Sequence, residues 1–557
     1  MAEFDFRRMS IYQIWIRSFC DGNGDGIGDL YGVYDKLDYI ASLGVDAVWF
    51  SPIYPSPNAD FGYDVADYCG IHPDYGTMEQ FQKVLHRAHE LGLKIILDLV
   101  INHTSDRHPW FLESKKGRDN PYSDYYFWRD PILKRKGHKL PNNWSSQFAG
   151  PAWEYCPERG QYYLHLFSKN QPDLNMDNPR VREEIRKIMR FWLDMGVDGF
   201  REDVITFISK REGLPNGLPW LPVVNGMPHY KDGPNIMRYL GEFRTVAREY
   251  GAVQIGEAPL AGVKSALRYV CGEDRVLDML IQFQPMMADC FLTEYLHHRF
   301  SLRKLKRAFS RWQYALQGKG WNALYLENHD HPRIVSRYGS ARFWRESATA
   351  LAACYIFQQG CPFVYQGQEI GMTNIRLPSI EQYLDVASQN LYHMFHKNEP
   401  QEKRMQRIHV SSRDSARTPV QWSDAPNAGF TSAAEPWFYV NQNYTEINVA
   451  RQEGDPDSVL SFYRRALALR KRSETLLSGD YREYCPHSGK LYMYERTLGE
   501  ERILVVCSFS HFHARFRLPE HWRGRDNELL LDNYAGDADA EALRPYEAQV
   551  WRRGREK

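Results

Sequence analysis

The chain has no excess of either charge: 70 Lys and Arg stand against 70 Asp and Glu in 557 residues. That balance removes the electrostatic case for nucleic acid or an anionic membrane surface as the main partner. No stretch reaches the roughly 18 consecutive apolar residues that a membrane span needs. No CxxC pair occurs. The nine cysteines (Cys20, Cys69, Cys156, Cys271, Cys290, Cys354, Cys361, Cys485 and Cys507) are odd in number and irregular in spacing. This excludes a zinc ribbon or a disulfide framework and fits the reduced thiols of a cytosolic protein. The opening MAEFDFRRMSIYQIWIRSF lacks the apolar core and small-residue cleavage site of a secretory signal. The expected address is therefore cytoplasmic. Low-complexity tracts are also missing.

What is present is length and a repeating pattern. At about 150 residues per domain the chain has room for two to four domains. Aromatics reach 14%, with 35 Tyr and 15 Trp. Rings in this number suit sugar ligands, but a large barrel core accounts for most of them. Eight β-rich apolar runs lie near 11–19, 45–54, 94–103, 197–203, 252–258, 278–284, 321–330 and 361–369. Helical patterns separate them, as at 78–92 and at 181–196, where Asn178 is the expected N-cap and Pro179 the first helical residue. Strand–helix alternation repeated eight times predicts an α/β fold, a (β/α)8 TIM barrel. Two stretches interrupt it. Residues 104–176 follow no period and predict a subdomain inserted after strand 3. Residues 370–455 form a second long insertion. From about residue 478, short strands and turns predict an antiparallel β-domain. The expected division is a barrel over 1–103 and 177–477, an inserted subdomain over 104–176, and a C-terminal β-sandwich over 478–557.

In such a barrel, catalytic groups sit at the C-terminal ends of the strands. Strand three runs out in Asp98, Asn102 and His103, and strand four in Arg201, Glu202 and Asp203. Strand five ends in Glu257, and strand seven in Glu327, His329 and Asp330. Any one acid there could be a structural ion-pair partner. Acids recurring at four strand mouths are not explained by stability, because crowded carboxylates repel. Without metal-ligand spacing they suit glycosidic cleavage: one carboxylate attacks the anomeric carbon and one carboxylic acid protonates the leaving oxygen.

The chain resembles the α-amylase superfamily of retaining glycoside hydrolases, in its oligo-1,6-glucosidase-like subfamily. The resemblance runs from about residue 10 to the C-terminus. It is carried by DLVINH at 98–103, QPDLN at 171–175, GFRED at 199–203, GE at 256–257 and ENHD at 327–330. DFGYDVADY at 60–68, YQGQEIGMTN at 365–374 and RDSARTPVQW at 413–422 extend it. The resemblance implies that Asp203 is the nucleophile, Glu257 the general acid/base and Asp330 the third carboxylate that grips the sugar. It implies that Arg201 keeps Asp203 ionised and that His103 and His329 donate to the glucose. It further implies that Tyr63 stacks on the sugar and that an Asp60–Arg417 pair closes the far end of the pocket. Arg413 is placed nearer the leaving sugar. A closed pocket implies exo action on short oligosaccharides by a monomer or weak homo-oligomer, with no organic cofactor.

Finer features bear on substrate. In the resembling group, Val after the nucleophile goes with α-1,6 bonds, and Ala or Thr with α-1,4 or sucrose-directed enzymes; here it is Val204. Phe283-Gln284-Pro285 and His331 depart from the group's usual residues on the leaving-group side. The loop Asp21-Gly-Asn23-Gly-Asp25-Gly-Ile27-Gly-Asp29 alternates oxygen ligands with glycines, like the first half of an EF-hand, without its closing Glu. In the resembling family this loop holds a structural Ca2+, implying side-chain ligation by Asp21, Asn23, Asp25 and Asp29 and carbonyl ligation by Ile27. The expected function is hydrolysis of isomaltose and short isomalto-oligosaccharides from the non-reducing end. Two alternatives stay open: a sucrose-acting transglucosidase or isomerase, and a trehalose-6-phosphate hydrolase with a phosphate pocket near Arg333 or Arg413. A non-enzymatic, transporter-associated barrel is excluded by the intact acids and the missing span.

Overall fold

The computed structural model describes residues 5–553 apart from 134–137, 222–223, 292, 395–397, 537 and 540. Eight parallel strands form the central sheet: β1 (Ile11–Ile14), β2 (Ala47–Phe50), β3 (Lys94–Leu99), β4 (Gly199–Glu202), β5 (Val253–Glu257), β6 (Met279–Ile281), β7 (Ala323–Leu324) and β8 (Cys361–Tyr365). Their order is β6-β5-β4-β3-β2-β1-β8-β7. A parallel bridge between Leu280 and Asn322 brings the two edges together, so the barrel is nearly closed. Sequences such as AVWF and KIILDL read as continuous apolar runs because helices cover one face of the sheet and the barrel core the other.

Caps fix where the helices begin. Thr77 and Gln80 form a reciprocal capping box at the start of Met78–Glu90. Asn178 caps Pro179–Asp194, with proline in the first turn. The strands are shorter than their apolar runs. The run at 94–103 pairs only to Leu99, and the run at 321–330 only at Ala323–Leu324. Apart from single bridges at His103 and Asn322, the remaining residues lie outside the ladder and nearly all are buried, because most have entered the βα-loops that build the site.

Within 104–176 a three-stranded antiparallel sheet pairs Trp128–Arg129 and Trp153–Cys156 with Gln161–Leu164. Its core is shared: Phe127, Trp144, Trp153 and Leu164 pack with Val204, Phe207 and Tyr230 from the loop after β4. The insertion is thus clamped onto the strand that carries Asp203.

The C-terminal antiparallel sheet has five strands, including Asp480–Tyr484, which the sequence pattern did not mark. A two-stranded ribbon, Ala514–Arg515 with Ala542–Leu543, encloses a second cluster around Trp522. The edge strand was obscured because only Tyr481 in it is buried.

Candidate active site

Arg201 is the hub of one end of the site. It is fully buried, and Nη1 donates to Asp98 Oδ1 at 2.7 Å and to Asp203 Oδ1 at 2.8 Å. Its other terminal nitrogen pairs with Glu257 Oε2. Arg201 and Asp203 sit two residues apart on the end of β4, so their side chains leave on the same side. Gly256 lets Glu257 in from β5: a Cβ at 256 would come within 2.5 Å of Leu277 Cδ1. Trp49 and Tyr63 donate to the second oxygen of Asp98 at 3.3 and 3.0 Å.

One guanidinium faces three carboxylates here. Burial pushes Asp203 up to about 7; Arg201 pulls it down while Asp98 and Asp330 push it up further. Burial raises Asp98 as well, against the pull of Arg201. Arg201 pulls Asp203 toward its charged form, as expected, but alone it does not overcome burial. Its charge is divided three ways, and burial wins.

The other end of the site is built differently. Arg413 Nη1 lies 3.1 Å from Asp330 Oδ1, and Nη2 lies 3.2 Å from Asp60 Oδ1 and 2.7 Å from Asp385 Oδ1. Arg417 Nη2 reaches Asp330 Oδ1 at 3.4 Å, and its Nε donates to the His329 carbonyl at 3.1 Å. The partner of Asp60 is thus Arg413 rather than Arg417, whose guanidinium is turned toward Asp330 and the face of Trp15. Burial opposes charge on Asp330, but His329, Arg413 and Arg417 outweigh it and hold the group well below its usual range. Burial raises Asp60 despite both arginines.

The two ends wall a cavity of about 250 Å³, lined by Asp203, Glu257 and Asp330 together with Asp60, Tyr63, His103, Val204 and Arg413. His329 stands behind this wall. Its Nε2 is 3.1 Å from Asp330 Oδ2, and its ring stacks on Tyr63 at 5.1 Å. Burial lowers both His103 and His329 to about 4, so both are neutral rings near pH 7. Phe283 and Gln284 line the cavity, whereas His331 sits behind Phe283 in an edge-to-face contact at 4.8 Å.

Val204 has φ 36° and ψ 45°, a left-handed backbone that a β-branched residue rarely adopts. The turn aims the residue after Asp203 into the cavity and onto the packed insertion.

Three contributors escaped sequence reasoning. Asp385 fixes Arg413, Gln171 donates to Asp60 Oδ2 at 3.2 Å, and Phe148 packs on the Arg413 guanidinium at 5.1 Å. Gln171 belongs to a marker segment and could have been found there. Asp385 and Phe148 lie in aperiodic insertions that give no signal.

The loop from Asp21 to Asp29 lies apart from this cavity. Asp21 accepts from the amides of Gly24 and Gly26 and from the Thr431 hydroxyl. Asp29 accepts from Gly22, Asn23 and Gly32. Asn23 and Asp25 accept from the amides two residues on. The donors are the hard oxygens that Ca2+ prefers, so the chemistry of the set fits that ion.

The model of the alpha amylase catalytic domain matches residues 13–479. An oligo-1,6-glucosidase of Parageobacillus thermoglucosidasius is 48% identical over 554 residues, covering 97% of this chain and 98% of its own. The crystal structure of Bacillus licheniformis trehalose-6-phosphate hydrolase superposes with a TM-score of 0.92 at 39% identity, over 99% of each chain. Trehalulose synthase from Pseudomonas mesoacidophila MX-45 gives a TM-score of 0.92 at 39% identity, over 98% of this chain and 99% of that one. Three differently named enzymes thus share this barrel and its full length. The chain belongs to the alpha-amylase family and is a glycoside hydrolase.

Proposed function

We propose that the chain is a retaining, exo-acting α-glucosidase that cleaves α-1,6 bonds at the non-reducing end of isomaltose and short isomalto-oligosaccharides. The observation that carries this reading is the shared guanidinium. Asp203 and Glu257 meet adjacent nitrogens of Arg201 at the base of a cavity closed by Asp60, Arg413 and Asp330. Carboxylates gathered on one guanidinium fit the spacing of about 5–5.5 Å used by retaining enzymes, not the wider gap that admits a water in inverting ones.

Asp203 attacks the anomeric carbon while Glu257 gives its proton to the departing oxygen. The C–O bond to the leaving sugar breaks and a β-glucosyl ester forms. Glu257, now a carboxylate, takes a proton from water. That water opens the ester and releases α-glucose, and Asp203 is a free carboxylate again. One cation among three acids leaves the cluster short of positive charge, which favours a retained proton; the reaction needs that proton on Glu257. His103, Asp60 and Arg413 hold the hydroxyls of the bound glucose, and Asp330 favours the distorted ring.

Val204 supports α-1,6 selectivity, since its branched side chain crowds the approach beside the nucleophile. The loop from Asp21 to Asp29 would hold a structural Ca2+ through four side chains and the Ile27 carbonyl, and a cytoplasmic, monomeric or weakly associated enzyme suits such substrates. Among the described residues no helix is long and apolar enough to cross a membrane.

The trehalose-6-phosphate alternative needs a free cation for the phosphate on the leaving sugar, and among the described residues that line the cavity Arg413 is the one cation. Arg333 is buried against Glu327 at 3.1 Å and the Gln366 carbonyl at 2.8 Å, and does not line the cavity. Arg413 does line it but already faces three carboxylates. Purified protein should be given isomaltose, panose, maltose, sucrose, trehalose and trehalose 6-phosphate. Fastest turnover on isomaltose is expected, with glucose first released as the α-anomer. Preference for the phosphorylated sugar, or isomaltulose formed from sucrose, would overturn the reading.

A further inference from the structure

Behind His103 lies a buried polar chain that the reaction does not touch. Lys210, seven residues beyond Asp203, is buried, and its Nζ lies 2.7 Å from Asp173 Oδ2 and 2.8 Å from Asn102 Oδ1. Three segments meet at this one ammonium: the loop after β4, the end of the inserted subdomain and the end of β3. Asn102 Nδ2 lies 3.2 Å from Asp173 Oδ2 and 3.2 Å from His103 Nδ1. His103 Nε2 is 3.1 Å from the Tyr63 carbonyl and lies on the cavity side.

Gln171 Nε2 also stands 3.2 Å from His103 Nε2, but its hydrogens have acceptors in Asp60 Oδ2 at 3.2 Å and the Tyr63 carbonyl at 3.4 Å, so the other partners of the ring decide its proton. An ammonium only donates, so Asn102 must turn its carbonyl oxygen to Lys210. A carboxylate only accepts, so the Asn102 amide nitrogen must face Asp173. Its second N–H is then directed at His103 Nδ1, which has to accept. The neutral ring therefore carries its proton on Nε2, where it donates to the Tyr63 carbonyl; this is the ring's one N–H, and a bound sugar hydroxyl would have to share it. We infer that Lys210 is a positioning residue that sets the His103 tautomer through Asn102. This rests on the proposed role of His103 as a donor to bound glucose.

A test must separate orientation from folding, because Lys210→Met alone strands the Asp173 carboxylate. The double variant K210M/D173N removes both charges together and keeps the volumes. With 15N-histidine labelling, and with H103Q identifying the signal by its loss, the wild type should show the Nε2–H tautomer of His103. The double variant should show a mixture of tautomers and a KM for isomaltose raised about five- to tenfold, with kcat within about twofold. An Nδ1–H wild type would overturn the inference. So would a double variant whose KM rises while the tautomer stays fixed, because that marks a structural role only. A tautomer that shifts while KM does not would leave the inference standing and overturn the role of His103 at the sugar.

Discussion

The two ends of the cavity use arginine in opposite ways. Around Arg201, one guanidinium serves Asp98, Asp203 and Glu257, and burial leaves Asp203 near 7. Around Asp330, two guanidinium groups converge, and Asp330 falls well below its usual range despite burial. Asp385, also opposed by burial, is held at about 2 by Arg413 and Arg417. Asp203, which shares its cation with two other carboxylates, stays close to titration near neutral pH, as a group that turns over in catalysis must. Asp330 and Asp385, each under the pull of two guanidinium groups, are fixed charges suited to gripping hydroxyls rather than to moving a proton, while Asp60 at the same end is raised by burial despite both arginines. The difference separates chemistry from binding within one cavity, and variants at the two ends should fail in different ways.

The largest effect is expected at the under-compensated end. Asp203→Asn and Glu257→Gln should each lower kcat on isomaltose by at least about 10⁴-fold, or about 5 kcal/mol of barrel-bound transition-state stabilisation. Circular dichroism should show an unchanged fold. Near-normal turnover in either variant would remove that residue from the chemistry.

At the other end, Arg413→Met should act first on binding. It deprives Asp60, Asp330 and Asp385 of their shared partner. KM should rise about 100-fold, with a smaller loss in kcat. Removing one member of a buried charge cluster should also cost roughly 3–5 kcal/mol in stability, read from urea unfolding. A loss confined to kcat would erase the distinction between the two ends.

How much of this could be read without coordinates follows from periodicity. Asp203, Glu257 and Asp330 were legible because apolar strand runs mark their own ends, and barrel chemistry gathers there. The eight strands were legible for the same reason, though their limits were not, since buried loop residues look like strand. Asp385 was not legible because it lies in a long insertion without a period, and only folding brings it 2.7 Å from Arg413. The exchange of Arg417 for Arg413 beside Asp60 was equally hidden. The two arginines are four residues apart, and sequence does not say which way each guanidinium turns. The left-handed backbone at Val204 ran against the propensity of a β-branched residue and was visible only in the fold.

The comparison also predicts opposite responses to pH. The Asp203 pKa is raised, so the folded state holds a proton that the unfolded chain has released. Its contribution to stability is therefore lost as pH rises from about 4 toward about 7. Asp385 is depressed, so its contribution is present above about 4 and is lost as pH falls toward about 2. Asp203→Asn should melt above the wild type at pH 8, with the gap closing by pH 5. Asp385→Asn should melt below the wild type at pH 8, with the gap closing under acid. Because attack needs ionised Asp203, kcat/KM should fall with acid below about pH 7, approaching tenfold per unit. Melting gaps that do not change with pH would contradict the charge assignment at both ends.

The smallest effect is expected at the loop from Asp21 to Asp29, which extends the comparison outside the cavity. Its carboxylates are held by fixed donors, five backbone amides and the Thr431 hydroxyl on Asp21 and Asp29, although burial still raises Asp29 against its amides. One of these bonds, from the Gly32 amide to Asp29, caps the helix Leu30–Asp35. A loop already held by so many bonds does not need a cation to form, so Ca2+ would tighten it without creating it. Chelation should lower the Tm by no more than about 2 °C, the size of a sub-kcal/mol effect in a chain this long. Asp21→Ala should lower it further than chelation, because that change releases Gly24, Gly26 and Thr431 together. A fall of ten degrees on chelation would reverse the argument: the oxygens would then be under-compensated, as at Asp203, and the ion would be what holds the turn.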